Sequence, residues 1–257
     1  MRRISQTVAI LLWILLVQVT PAQSQDPTFL DNHYLVYMVP AVPVRISVPG
    51  PITLDDQWGS SEHPEVFLEQ FANPVDKNGE GIINEFLHQT WWLIDDPQPG
   101  RRVEIDNQFG RQTLFVKDAK YLVLPSAKNT TAPLPEGSGQ HYKCYDANGA
   151  YQGLPVTLQD QWEAMTGTVA KPQYFCNPTF KTFQGITTPT LNDSLHMACY
   201  QIEPPMMLQQ FFQAWDQFGV WEPLMAVQTE WLCVPTAKLN FIAVQEETWG
   251  NIKKLFR

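Results

Sequence analysis

Polar and apolar residues alternate with a period of two along much of this chain. In Val156-Thr157-Leu158-Gln159-Asp160-Gln161-Trp162, the residues Val, Leu, Asp and Trp fall on one side, and Thr, Gln and Gln on the other. Val103-Glu104-Ile105-Asp106 and Ile52-Thr53-Leu54 alternate likewise. Successive side chains of a strand point to opposite faces, so this pattern predicts half-buried strands. Leu114-Phe115-Val116 and Tyr121-Leu122-Val123-Leu124 add a further strand or two. The 21 prolines, spread along the chain, argue against long helices, because each removes a backbone donor.

The alternation comes in four copies. Each opens with a histidine-led aromatic stretch: His33-Tyr34-Leu35-Val36-Tyr37, His88-Gln89-Thr90-Trp91-Trp92, His141-Tyr142-Lys143-Cys144-Tyr145 and His196-Met197-Ala198-Cys199-Tyr200. A polar pair then precedes an aromatic: Asp56-Gln57-Trp58, Asn107-Gln108-Phe109, Asp160-Gln161-Trp162 and Asp216-Gln217-Phe218. Each copy closes on Pro-x-x-Lys, at Pro74/Lys77, Pro125/Lys128, Pro178/Lys181 and Pro235/Lys238, with 20, 20, 20 and 21 residues from Gln to Lys. A period of roughly 50 residues suits supersecondary units that share a core, not independent domains.

The expected fold is therefore all-β, with four repeats of three to four short strands, about 12 to 14 in total. Copies one and three end in Asn-Pro, whereas two and four end in Pro-Ser-Ala-Lys and Pro-Thr-Ala-Lys. That alternation predicts two barrel- or sandwich-like lobes: repeats 1 and 2 over 25–128, and repeats 3 and 4 with the C-terminal tail over 141–257. Residues 129–140, rich in Thr, Pro, Gly and Ser, read as the linker. Met206 to Phe212 breaks the rhythm as a helical turn or a bulged strand. Gln245 to Arg257 reads as a short amphipathic helix, and Ser60 to Pro64, around His63, as a loop.

Residues 1–24 read as a signal peptide: Arg2 and Arg3, an apolar run from Val8 to Val19, then Ala22-Gln23-Ser24 for cleavage. The apolar run is well short of the roughly 20 residues a membrane helix needs, and no later segment qualifies. The mature chain is expected to be secreted, whether extracellular, periplasmic or at the cell surface. With the signal gone, 15 basic residues face 26 acidic ones, a net charge of −11. That balance argues against nucleic acid as a partner.

In an exported chain, Cys144, Cys176, Cys199 and Cys233 read as two disulfides. Cys144 and Cys199 share one slot of the repeat, held by Val36 and Trp91 in the earlier copies. Cys176 and Cys233 share another, held by Ala72 and Val123. The simplest pairing is within repeats, Cys144–Cys176 and Cys199–Cys233; the crossed pairing also fits. His141-x-x-Cys144 and His196-x-x-Cys199 resemble metal ligands, but His33 and His88 hold the same slot without a cysteine. A structural histidine is the simpler reading, and no metal or cofactor is expected.

The triplets Asp56-Gln57-Trp58 and Asp160-Gln161-Trp162 are the candidate ligand-binding residues. An aromatic ring beside amide and carboxylate groups suits a sugar, and four linked weak sites gain avidity. Core filling by the ring and turn capping by Asp and Gln account for the same residues. The repeated Lys reads as support for the fold. No nucleophile elbow, zinc-protease motif, phosphate loop or dinucleotide fingerprint is present. An Asp/Glu pair leaves no linear motif, so an extracellular hydrolase stands as the alternative. Asn129-Thr130-Thr131 and Asn192-Asp193-Ser194 are glycosylation acceptors in a eukaryotic host.

The combined motifs His-Tyr-x-Cys-Tyr, Asp/Asn-Gln-Phe/Trp and Leu/Phe-Cys-x-Pro-x-x-Lys resemble a family of uncharacterised exported repeats of bacterial and archaeal secreted or surface proteins. The matching stretches are His141 to Tyr145, Phe175 to Lys181 and Leu232 to Lys238. The resemblance implies export and a repeated β module. The expected role is a non-enzymatic binding or structural protein, with a polysaccharide or a surface protein as partner.

Overall fold

A computed structural model of the chain describes residues 31–41 and 45–242. The signal segment and the expected C-terminal helix lie outside the described residues. Within them every regular element is a strand. Repeat 1 supplies β1 (His33–Met38), β2 (Ser47–Asp56) and β3 (Gly59–Lys77); repeat 2 supplies β4 (His88–Asp96), β5 (Arg101–Asp106) and β6 (Gln112–Lys128). Repeat 3 supplies β7 (Tyr142–Asn148), β8 (Leu154–Gln159) and β9 (Ala164–Pro178), followed by the short β10 (Phe180–Phe183) and β11 (Ile186–Thr188). Repeat 4 supplies β12 (His196–Glu203), β13 (Met207–Asp216) and β14 (Gly219–Ile242).

The opening and long strands of the repeats pair in a closed antiparallel ring of eight: β1, β3, β4, β6, β7, β9, β12, β14 and back to β1. Closure joins repeat 4 to repeat 1 through Tyr34 opposite Cys233, and so removes the free edges of an open sheet. No helix among the described residues is long and apolar enough to cross a membrane.

Alternation along the ring strands sorts the core into two layers. Tyr34 and Val36 join a small cluster that draws residues from all eight ring strands, which places it in the barrel lumen. Leu35 and Tyr37, on the other face of β1, join the larger cluster. There the ring packs against the hairpins that each middle strand makes with the first half of its long strand, through residues such as Ile52, Val66, Val103 and Leu158.

The expected division into two lobes does not appear in the pairing. Each middle strand also pairs two repeats away, three with the end of a long strand and β2 with the short β10 that follows β9: Asp76 opposite Gln159, Ala214 opposite Lys128, Lys238 opposite Ile105, and Lys181 opposite Leu54. Repeats 1 and 3 are interlocked in this way, as are 2 and 4. The stretch 129–140 links two repeats of one barrel. One local reading changes: His63 lies in β3 opposite Ile52, not in a loop. Met207 to Phe212 lies in β13, with a register shift between Met207 and Gln210, as the bulged-strand alternative has it.

Both cystines form within repeats, across directly opposed residues: Cys144 faces Cys176 and Cys199 faces Cys233. Val36 faces Ala72 and Trp91 faces Val123 in the same register of repeats 1 and 2. The lumen thus has four equivalent facing pairs, two bonded and two packed.

Candidate functional site

The Asp/Asn-Gln-aromatic triplets form hairpin tips, with Asp56 and Asp216 the last residues of β2 and β13, and the motif builds its own turn. The first side chain accepts the backbone N–H two residues on: Trp58 to Asp56 Oδ1 (2.8 Å), Phe109 to Asn107 Oδ1 (2.9 Å), Trp162 to Asp160 Oδ1 (2.8 Å) and Phe218 to Asp216 Oδ1 (2.8 Å). Short polar side chains reverse the chain by this bond, which ends the alternating strand at Gln159.

The same side chain then reaches the repeat two places away. Asp56 Oδ2 accepts from Tyr145 Oη (2.7 Å) and Asn177 Nδ2 (2.9 Å); Asp160 Oδ2 accepts from Tyr37 Oη (2.7 Å) and Asn73 Nδ2 (2.8 Å). Asp216 Oδ2 accepts from Thr90 Oγ1 (2.6 Å) and Trp92 Nε1 (3.0 Å). Asn107, with an amide to give, donates instead to Tyr200 Oη (2.9 Å) and Thr236 Oγ1 (3.0 Å). Carboxylates face donors, and the amide faces hydroxyls able to accept.

The tip rings follow the same rule. Trp58 meets Tyr145 edge-on at 4.5 Å between centroids, Phe109 meets Tyr200 at 4.9 Å, Trp162 meets Tyr37 at 4.9 Å and Phe218 meets Trp92 at 5.1 Å. Trp58 and Trp162 are half-buried against the outer core. Their neighbours Gln57 and Gln161 are exposed, yet Gln57 donates to Asn177 Oδ1 (2.6 Å) and Gln161 to the Glu85 carbonyl (3.0 Å). The six candidate ligand residues therefore sit in two junctions that tie repeat 1 to repeat 3.

The histidines and lysines complete each junction from the preceding repeat. Lys77 lies over Phe109 (5.8 Å), Lys128 over Trp162 (4.5 Å), Lys181 over Phe218 (5.2 Å) and Lys238 over Trp58 (5.9 Å). The tip glutamine meets the histidine: Gln108 bonds His33, and Gln57 bonds His196 Nε2 at 2.8 Å. Burial is the main cause that holds His33 and His196 down to about 4, and His88 and His141 to about 3; the nearby lysine charge adds to it. Burial also holds Lys128 and Lys181 down to about 8, opposed by Asp160 and Asp216 respectively. At neutral pH the imidazoles are neutral, and Lys128 and Lys181 remain mostly charged.

The junctions differ in how the lysine is matched, and the half-buried Lys238 of repeat 4 has no hydrogen-bond acceptor among the described residues. In repeat 1, Glu80 lies on Lys77 and reaches His33 Nε2 at 3.8 Å. In repeat 2, Lys128 donates to Asn73 Oδ1 at 2.8 Å. In repeat 3, Lys181 is buried with no hydrogen-bond acceptor among the described residues, and neither ring nitrogen of His141 has a well-formed bond, although Gln217 stands beside it. These two side chains line a cavity of about 660 Å³, walled by Pro125, Leu134, Phe183 and Leu191. Asp216 lies there too, its oxygens already taken by Thr90, Trp92, Trp221 and its own turn, and burial pushes its pKa up.

Sequence reasoning treated Lys181 and His141 as two more fold-supporting copies. The signal that separates them is length: Lys to the next His spans 11 residues after Lys77, 13 after Lys128 and 15 after Lys181. The added residues form the β10–β11 turn at the cavity wall.

A second polar cluster had no signature in the sequence. The buried Lys143 ammonium donates to Ser61 Oγ (2.7 Å) and Asp96 Oδ2 (3.0 Å), and Ser61 Oγ lies 2.9 Å from His63 Nε2. Burial works against the Asp96 charge, but bonds from Lys143 and its neighbours bring its pKa below the usual range. These groups satisfy one another, as a buried charge requires. The His-x-x-Cys pairs offer no thiolate, since Cys144 and Cys199 are both in cystines.

One family matches the chain. It is described as a repeat of unknown function (DUF7450), and it matches residues 88–235. No curated protein and no solved structure matches.

Proposed function

We propose, for a chain that belongs to the DUF7450 repeat family, an exported, non-enzymatic binding protein. The fourfold barrel is its scaffold, and the cavity beside Lys181 and His141 is its ligand site. The observation that carries this reading is internal to the repeat. Lys77 and Lys128 meet acceptors from the chain itself; Lys181, like Lys238, has none among the described residues, and it lines an open cavity together with His141, whose ring nitrogens lack a well-formed bond. Unpaired buried polar groups are costly and mark a place where a partner group is expected. A mostly apolar concavity with a few convergent polar groups is the usual form of a small-ligand site. The two cystines are compatible with export. A sugar stacked on Trp58 or Trp162 is less well supported, because those rings already pack on Tyr145 and Tyr37.

Protein-observed ¹H–¹⁵N NMR against a fragment library and an oligosaccharide panel tests the proposal. Shifts gathered on residues 133–141 and 181–191 support it. Shifts gathered on the Trp58 and Trp162 indoles, with the cavity silent, transfer the function to the hairpin tips.

A further inference from the structure

We propose that the cavity takes a small monocarboxylate with an apolar body, paired with Lys181 Nζ beside His141 as Glu80 is paired with Lys77 beside His33 in repeat 1. This deepens the reading of the cavity as a binding site and rests on it. The template is the molecule's own. In repeat 1 a carboxylate pairs with the junction lysine, Oε1 on Lys77, while Oε2 stands 3.8 Å from His33 Nε2, beside the imidazole but not bonded to it. Repeat 3 has the same lysine and histidine in the same slots, both nearly fully buried, and no carboxylate on them. The two acids that line the cavity do not fill the gap. Asp216 is committed to Thr90, Trp92 and Trp221, and Glu136 is exposed on the 133–139 loop with no ion pair to Lys181.

The chemistry of the walls narrows the class. One ammonium beside a neutral imidazole balances one negative charge, and a dianion would leave charge uncompensated in a buried place. A monocarboxylate with two acceptor oxygens therefore fits better than a phosphate ester. The body is set by Pro125, Leu134, Phe183 and Leu191, which offer apolar contact and few donors. Lys181 held near 8 remains mostly charged at neutral pH, so it is ready to pair with an anion.

The probes are phenylacetate and its neutral isostere phenylacetamide, titrated into the mature oxidised protein at pH 7 and followed by cavity resonances. Phenylacetate is expected to bind about tenfold or more tighter than the amide, the margin typical of a hydrogen-bonded charge. Lys181→Met, checked for an intact spectrum, is expected to erase that preference, and Lys181→Arg to keep most of it. Equal binding of acid and amide in the cavity overturns the carboxylate class while leaving the binding reading in place. A preference that survives in Lys181→Met overturns the assignment to this amine. Cavity resonances that respond to neither probe nor to any neutral fragment overturn both readings.

Discussion

Repeats 1 and 3 are built so alike that their differences stand isolated. Both carry an Asp-Gln-Trp tip and end in Asn-Pro, and each tip carboxylate accepts a tyrosine hydroxyl and an asparagine amide from the other repeat. They part at two places. In the lumen, Val36 faces Ala72 where Cys144 faces Cys176. At the junction, Glu80 lies on Lys77 beside His33 where Lys181 and His141 face a cavity. The first difference teaches that the lumen slot needs a facing pair of the right size, bonded or not. The second teaches that the barrel tolerates a buried amine without a direct partner, and that such tolerance is where a scaffold gains a site.

The largest expected effect is that of acid, which probes the feature both repeats share. The four junction histidines have folded pKa values of about 3 to 4. Each lies below its unfolded value near 6.5, so the unfolded chain binds more protons between the two. The stability is present above about pH 6.5 and is lost as pH falls toward 4 and then 3. One histidine held near 4 accounts for on the order of 3 kcal/mol when the loss is complete. Asp31, raised to about 6 by burial, acts the other way between its unfolded value near 4 and pH 6; Asp216, also raised by burial, acts in the same direction as Asp31, and both soften the fall. Urea midpoints taken from pH 7.5 to pH 4 should therefore drop steeply below 6.5. A flat profile would mean the imidazoles are not buried neutral. At pH 7, His141→Gln should be tolerated better than His33→Gln, which also loses the bond to Gln108.

The cystine comes next. Cys144→Val with Cys176→Ala copies the repeat 1 pair into repeat 3, and should cost about 2–4 kcal/mol through the released loop of 32 residues. The plain Cys→Ala pair should cost more, because it also leaves a void in the lumen. In the reverse direction, Val36→Cys with Ala72→Cys should oxidise to a third disulfide and raise the urea midpoint. A bond that forms there and lowers stability would show that the four slots are not equivalent.

Those slots were legible because a repeat aligns residues that share one register, and cysteines present or absent together already suggested bonding within a repeat. The two-lobe reading failed for an instructive reason. The odd–even alternation is real, but it records partners two repeats apart. Asn177 and Asn73 close odd copies and serve the odd tips Asp56 and Asp160, while Thr236 closes an even copy and serves the even tip Asn107. Ring closure between Tyr34 and Cys233 is a pairing of the most distant repeats and leaves no local mark. The strand face of Trp58 and Trp162 was misplaced because an Asx turn continues the polar alternation by chance. Lys181 looked like its three counterparts, since burial and the absence of an acceptor are properties of the loops around it.

The tips give the third test. Asp160→Asn sets an amide donor against the Tyr37 hydroxyl and the Asn73 amide, and Asp56→Asn does the same against Tyr145 and Asn177. Each should cost about 1–3 kcal/mol, and the two values should agree closely if repeats 1 and 3 are equivalent there. Asn107→Asp should cost less, because Tyr200 and Thr236 hydroxyls can turn to donate. Equal losses in all three would mean that turn formation, not the contact across the barrel, is what these residues supply.

The smallest effect bears on the lysines themselves. Lys77 has Glu80, whereas Lys181 has the distant help of Asp216 and no bond. Replacing a buried, weakly compensated charge by an apolar side chain of similar shape is neutral or stabilising, while removing one member of a close pair is not. Lys181→Met should therefore raise stability at pH 7 by about 1 kcal/mol, and Lys77→Met should leave it unchanged or lower it. The sign can be checked by pH. The folded Lys181 pKa, about 8, lies below its usual 10.5, so the unfolded chain binds more protons between them, and the native protein regains stability as pH rises through that window. The advantage of Lys181→Met should therefore shrink from pH 7 to pH 9.5, since the neutral amine no longer carries the penalty. An advantage that persists unchanged at pH 9.5 would place its origin in packing, and the cavity would then be a defect of fit in repeat 3, with no amine held in wait for an anion.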